Sequence, residues 1–114
     1  MGRNIRELPP THNGRATILA IDFDGTLCVH KFPEIGEPFL DVINDLIEFR
    51  KQGGKLILWT CRDGNDLFKA IKWANDFGLW FDAINEDTEW VRNNYGRIKS
   101  CKVCADFYID DRNL

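Results

Sequence analysis

Thr17-Ile18-Leu19-Ala20-Ile21-Asp22-Phe23-Asp24-Gly25-Thr26 is the stretch whose reading decides the fold. Thr17 to Asp22 is short and almost wholly apolar before it meets an aspartate. Such a run is a strand covered on both faces rather than a half-solvated one. Working outward, Lys55-Leu56-Ile57-Leu58-Trp59 supplies a second buried strand, Trp80 to Ile84 a third, and Asp106-Phe107-Tyr108-Ile109-Asp110 a last. Residues 23–37, with Gly25, Pro33 and Gly36, read as a loop. A helix follows with Pro38 at its first position and runs to about Gln52. Its apolar stripe is Leu40, Ile43, Leu46 and Ile47, and Gly53-Gly54 stops it. A second helix covers about Asn65 to Phe77 on the face of Leu67, Ile71, Ala74 and Phe77, with Gly78 after it. Residues 85–100 are polar and hold at most a short helical turn. Residues 1–15, broken by Pro9, Pro10 and Gly14, read as a loose arm ahead of one core domain over 16–114. Strands alternating with helices predict an α/β fold with a parallel sheet and right-handed crossovers.

The 114 residues leave room for one domain, and 44% apolar content is enough for a packed core. With 15 basic against 18 acidic residues the net charge is -3, which disfavours nucleic acid and other polyanions as partners. The longest apolar stretch, Ala16 to Ile21, is interrupted by Thr17 and falls far short of the ~20 residues of a membrane span. Met1 to Pro10 has no apolar core of the secretory kind, so a cytoplasmic protein is expected. Cys28, Cys61, Cys101 and Cys104 are then reduced thiols. Cys101-Lys-Val-Cys104 has the spacing of a zinc pair, but no second close pair completes the usual ligand set.

Open α/β sheets bind ligands at the carboxyl ends of their strands. The first strand ends in Asp22-Phe23-Asp24-Gly25-Thr26, the second in Thr60-Cys61-Arg62, and the last in Asp110-Asp111. Four carboxylates meeting at one edge repel unless a cation is present. Hard oxygen ligands suit Mg²⁺, which binds through one or two carboxylates plus a substrate phosphate. Thr60, with Cys61 beside it, and an ammonium from Lys102 or Lys99 can hold the remaining phosphate oxygens. Backbone amides in the turn opened by Gly25 add donors. Such a site stabilises charge on a transferring phosphoryl group. Within Asp22-Phe-Asp24, one carboxylate can attack phosphorus while the other serves the leaving group as acid and water as base. Arg62 is read either as a substrate contact or as a solvated residue at a helix start.

Asp22-Phe-Asp24-Gly25-Thr26 resembles motif I, DxDGT, of the haloacid dehalogenase superfamily. By average residue usage, a chain of this size carries DxDGT by chance about once in a thousand. Thr60 after Leu56 to Trp59 resembles motif II, Lys102 motif III, and Asp110-Asp111 the paired-aspartate form of motif IV. The likeness runs from about residue 17 to 112. DFDGT, IGEP, LILWTCR and YIDDRN together are similar to small capless members from bacteria and phages. The resemblance implies a three-layer Rossmann-like fold and a Mg²⁺-dependent phosphatase. It implies Asp22 as nucleophile and metal ligand, and Asp24 as general acid/base with its main-chain carbonyl on the metal. It implies Thr60 and Lys102 on the phosphate, Asp110 on the metal, and Asp111 on it through water. Lys102 is preferred to Lys99 because it directly precedes the apolar Val103.

The intervals from Asp22 to Thr60 and from Thr60 to Lys102 hold no cap domain. An open site favours hydrolysis over transfer and admits either small or larger phosphoesters as substrates. Either the loop from Val29 to Glu37 is the gate, or a second copy of the chain covers the site. Family members continue past motif IV with a further helix, whereas this sequence stops at Leu114, so it reads as a fragment or a reduced core. Two other readings stand beside the phosphatase. A phospho-accepting receiver domain uses similar parts in a different order, and a catalytically silent phosphate- or metal-binding module would use the same ones.

Overall fold

A computed structural model describes residues 5–95 and 104–110. In chain order its strands and helices are β1 (Thr11–His12), β2 (Arg15–Ala16), β3 (Ile18–Ile21), β4 (Cys28–Lys31), β5 (Glu34–Pro38), α1 (Leu40–Lys51), β6 (Lys55–Leu58), α2 (Gly64–Asp76), β7 (Ala83–Ile84), α3 (Glu89–Tyr95) and β8 (Phe107–Ile109). Four of the strands form one sheet in the order β7-β6-β3-β8, every neighbour pair parallel. The chain is therefore an α/β protein with a parallel sheet, and the strand predicted at Thr17–Asp22 lies inside that sheet.

The register is set by alternation along β3. Leu19 and Ile21 join one core with Leu56, Leu58 and the buried residues Ile43, Leu46 and Phe49 of α1 and Ala70 and Ala74 of α2. Ile18 and Ala20 join the other with Ile57, Ala83 and Val91 of α3. Successive side chains leave a strand on opposite faces, so a run that is apolar at every position needs cover on both. The helices supply it.

Several expectations are corrected. Residues 5–15 are not a loose arm: Ile5 and Leu8 are buried in the larger core, and β1 and β2 form a hairpin. Its turn is Asn13-Gly14, with φ of 50° and 77°, the left-handed pair that an Asn-Gly turn adopts. The expected loop over 23–37 is in large part a second hairpin of β4 and β5. Pro33 sits in its turn and Pro38 at its end, the two places where a missing N–H costs no ladder bond. Helix α1 consequently starts at Leu40, not Pro38. Leu40 is half exposed and Phe49 takes the inner position instead. The strand expected over 80–84 shrinks to Ala83–Ile84. The polar stretch 85–100 holds the seven-residue α3, whose Val91 is buried. No helix among the described residues is long and apolar enough to cross a membrane.

Candidate active site

The carboxyl edge of the sheet is organised around β3, its inner strand. Ile21 is in register with Ile109 of β8 on one side and with Leu58 of β6 on the other. The Asp22 amide donates to the Ile109 carbonyl at 2.9 Å, and the Trp59 amide to the Ile21 carbonyl at 2.8 Å. Asp22 and Asp110 are therefore side by side at the exits of adjacent strands, which run ~4.8 Å apart. The connection after β3 leads to β6 and β7 on one side, and β8 adds on the other. The strand order thus reverses between β3 and β8, where crevices form in open α/β sheets.

Phe23 anchors the turn that follows β3. Its ring is fully buried and meets Trp73 of α2 edge-on at 5.5 Å. Asp22 Oδ1 accepts the Phe23 amide at 2.9 Å. The amide of Gly25 donates to the Cys28 carbonyl, and those of Thr26 and Leu27 to the Phe23 carbonyl. This corrects the expectation that Gly25 offers its amide to a phosphate. Its part is conformational, a φ of 84° that glycine adopts without strain.

Arg62 is neither of the things expected of it. It is buried, with its side chain 1% exposed. Nη2 and Nε donate to the two oxygens of Asp24 at 2.7 and 2.8 Å. Nη1 donates to the Pro33 carbonyl at 3.1 Å and Nη2 to the Glu34 carbonyl at 3.0 Å, both in the hairpin turn. Its guanidinium carbon lies 5.0 Å from the centres of both the Phe23 and the Phe32 rings. The hydrogen bonds that Arg62 donates to Asp24 raise its pKa further, against the opposing effect of burial. Neither a solvated helix start nor an open substrate contact fits a side chain so enclosed. The segment Val29 to Glu37, expected to be a gate, is pinned at its turn by the same residue.

On the β6 side, the Thr60 amide donates to Asn85 Oδ1 at 2.8 Å, and Thr60 Oγ1 accepts the Arg62 amide at 3.2 Å. The Thr60 hydroxyl keeps its own proton to donate. Asn85, just past β7, was not foreseen as a site residue. Its φ of 53° is a signal of local constraint that sequence alone does not carry. Cys61 is exposed between Thr60 and Arg62. Cys28 is buried at the base of the hairpin, and burial pushes its thiol pKa up. Lys99, Lys102 and Asp111 lie outside the described residues.

Among the described residues no three His, Cys, Asp or Glu side chains converge as a metal site. Mg²⁺ does not require three, since it is commonly held by one or two carboxylates and keeps its waters. Asp22 and Asp110, hard oxygen donors on paired strand ends, fit that demand. The Asp24 carboxylate is directed to Arg62, through one bond on each oxygen.

No family model and no curated protein matches the chain. A solved structure, that of a conserved protein coded by a locus of Bacteroides thetaiotaomicron, matches it with a TM-score of 0.74 and 38% sequence identity. The match covers 88% of this chain and 79% of that one.

Proposed function

We propose that this chain, which belongs to the same family as that conserved Bacteroides thetaiotaomicron protein, is a phosphohydrolase of the haloacid dehalogenase type, with a Rossmann-like core. The observation that carries the reading is the pairing of Asp22 and Asp110 at the strand-order reversal, with Thr60 leaving the next strand and Asp24 two residues on. These are the groups that in-line phosphoryl transfer to a carboxylate requires, at the edge where α/β sheets bind ligands.

In the proposed reaction an oxygen of Asp22 attacks phosphorus, the P–O bond to the leaving group breaks, and an aspartyl-phosphate remains. Asp24 delivers a proton to the departing oxygen and later takes one from the water that attacks the acyl phosphate. A carboxylate has about four lone-pair positions. Arg62 occupies one on each oxygen of Asp24, so the group is held in one orientation with positions left for a proton or water. The Thr60 hydroxyl donates to a phosphate oxygen, and Lys102 is assigned the same task by its motif. Asp22, Asp110 and the Asp24 carbonyl would hold Mg²⁺, which offsets carboxylate repulsion and polarises the phosphate when bound. Among the described residues Cys28, Cys61 and Cys104 are free thiols, in accord with a cytoplasmic setting.

The test is phosphate release from an aryl phosphate and a panel of metabolite phosphates, with and without Mg²⁺. Wild type should turn over at least one of them only with the metal, and Asp22→Asn should reduce it to background. Equal background from wild type and Asp22→Asn would leave a silent binding module.

A further inference from the structure

One side chain beside the candidate site is both anchored and open to solvent. Phe32, in the turn between β4 and β5, is 52% exposed. Its ring centre lies 5.0 Å from the Arg62 guanidinium carbon. The next two residues, Pro33 and Glu34, each receive a hydrogen bond from Arg62 through their carbonyls. The turn is therefore fastened at three consecutive residues to the arginine that grips Asp24. A guanidinium near an aromatic ring adds a favourable contact of its own, which favours one placement of the ring. Isolated exposed apolar residues are ordinary on protein surfaces. This one differs in its place.

In an in-line displacement the leaving group departs on the side away from the nucleophile. Asp24 serves that oxygen, so the body of the leaving group lies on the Asp24 side of the phosphate. There Asp24 is gripped by Arg62, which is enclosed, and Arg62 in turn holds the hairpin turn that carries Phe32. Burying an exposed aromatic ring against an incoming planar ring is favourable both by area and by ring geometry.

We propose that Phe32 is a specificity-determining residue that stacks on an aromatic ring of the leaving group. The preferred substrates are then phosphomonoesters of ring-bearing alcohols, with the phosphate on Asp22 and the ring on Phe32. This rests on the phosphohydrolase reading above.

The experiment compares benzyl phosphate with cyclohexylmethyl phosphate, which differ chiefly in aromaticity. Wild type should favour the benzyl ester by roughly 3- to 10-fold in kcat/KM. Phe32→Leu should lose that preference and Phe32→Trp should keep it. Trp80→Ala, which removes an exposed aromatic ring ahead of β7, should also keep it. Equal kcat/KM for the two esters in wild type, or a preference that survives Phe32→Leu, overturns the proposal while leaving the phosphohydrolase standing. If these two esters alone are refused among the phosphates tested, the proposal is overturned; if none of those phosphates is hydrolysed, the enzyme reading fails. Phe32 is then judged by saturation transfer from protein to bound benzyl phosphate. A ring signal lost in Phe32→Leu supports the contact, and an unchanged or absent signal overturns it.

Discussion

Arg62 and Asp24 stand 38 positions apart in the chain and meet through two hydrogen bonds of 2.7 and 2.8 Å. Their side chains are 1% and 14% exposed. The pair joins the exit of β6 to the turn after β3, and through the Pro33 and Glu34 carbonyls it joins both to the β4–β5 hairpin. A single side chain thus sets the mutual position of three segments at the carboxyl edge. Arginine suits this place because its planar fork can serve a carboxylate and two carbonyls at once.

Removing one partner of a buried pair leaves an uncompensated charge, which costs more than the pair itself contributes. Arg62→Met should lower unfolding free energy by about 3–5 kcal/mol in urea titrations. Arg62→Met combined with Asp24→Asn should recover a good part of that loss, since no lone carboxylate remains. A double variant as unstable as Arg62→Met would show that the loss comes from the carbonyl and ring contacts instead.

Gly36 faces the other strand of the hairpin so closely that an added Cβ would meet the Val29 carbonyl oxygen and carbon. Those atoms belong to the backbone and cannot swing aside. Gly36→Ala should therefore force β4 and β5 apart, at a cost of about 1–3 kcal/mol. Thermal unfolding reads this directly. Gly14→Ala is the comparison, because a Cβ there meets nothing within 4 Å and only its φ of +77° opposes the change.

Asn85 has two duties that substitution can separate. Asn85→Gly keeps the left-handed backbone but removes the acceptor for the Thr60 amide, and should cost about 1 kcal/mol. Asn85→Ala removes the acceptor and adds roughly 1–2 kcal/mol of backbone strain. If Thr60 binds phosphate, both variants should also weaken competitive inhibition by inorganic phosphate. Stability curves and inhibition constants for the two variants distinguish the duties.

Asp106 carries the pH dependence. Burial pushes its carboxyl pKa up, but hydrogen bonds from Arg15 and the Ile18 amide, with the charges of Arg15 and His12, outweigh it and hold it below the usual value of 3.8. A carboxyl whose folded pKa lies below its unfolded one contributes its full stability above the unfolded value, and loses it as pH falls through the folded one. Unfolding free energy should therefore be independent of this group above about pH 5 and decline below about pH 4. Asp106→Asn should be less stable at neutral pH, with a shallower decline in acid. Urea titrations over that pH range check both.

The buried strands were legible in the sequence because their signal is local. Ile18 to Ile21 and Leu56 to Leu58 are apolar at every position, and the polar residues that follow them fall at one sheet edge. The β4–β5 hairpin was hidden because Pro33 and Gly36, read as loop residues, and Pro38, read as a helix start, occupy the turn, the close approach and the strand end of a hairpin. Ile5 and Leu8 were masked by the polar residues and prolines around them. Their burial depends on contact with α1, which no nearby spacing announces. The role of Arg62 was out of reach for a related reason. An arginine after a strand is ordinarily solvated, and only the arrival of Asp24 and the hairpin turn from elsewhere in the chain encloses it. The Asn13-Gly14 turn, by contrast, is a signal the sequence does carry.

The contact between Arg15 and Asp106 spans 91 positions, and the Ile18 amide reaches the same carboxylate across 88. During synthesis, β3 emerges long before the strand that will flank it on its β8 side. Until β8 arrives, that side of β3 lacks its partner, and Asp22 stands at the edge of an unfinished sheet. Ordering a loop of that length carries an entropic toll that falls on the final docking step. A ribosome-bound chain exposing residues through α2 should therefore already protect the β3–β6 ladder from hydrogen exchange. It would still lack Asp110, so the carboxylate pair at this edge assembles only when the last strand is released.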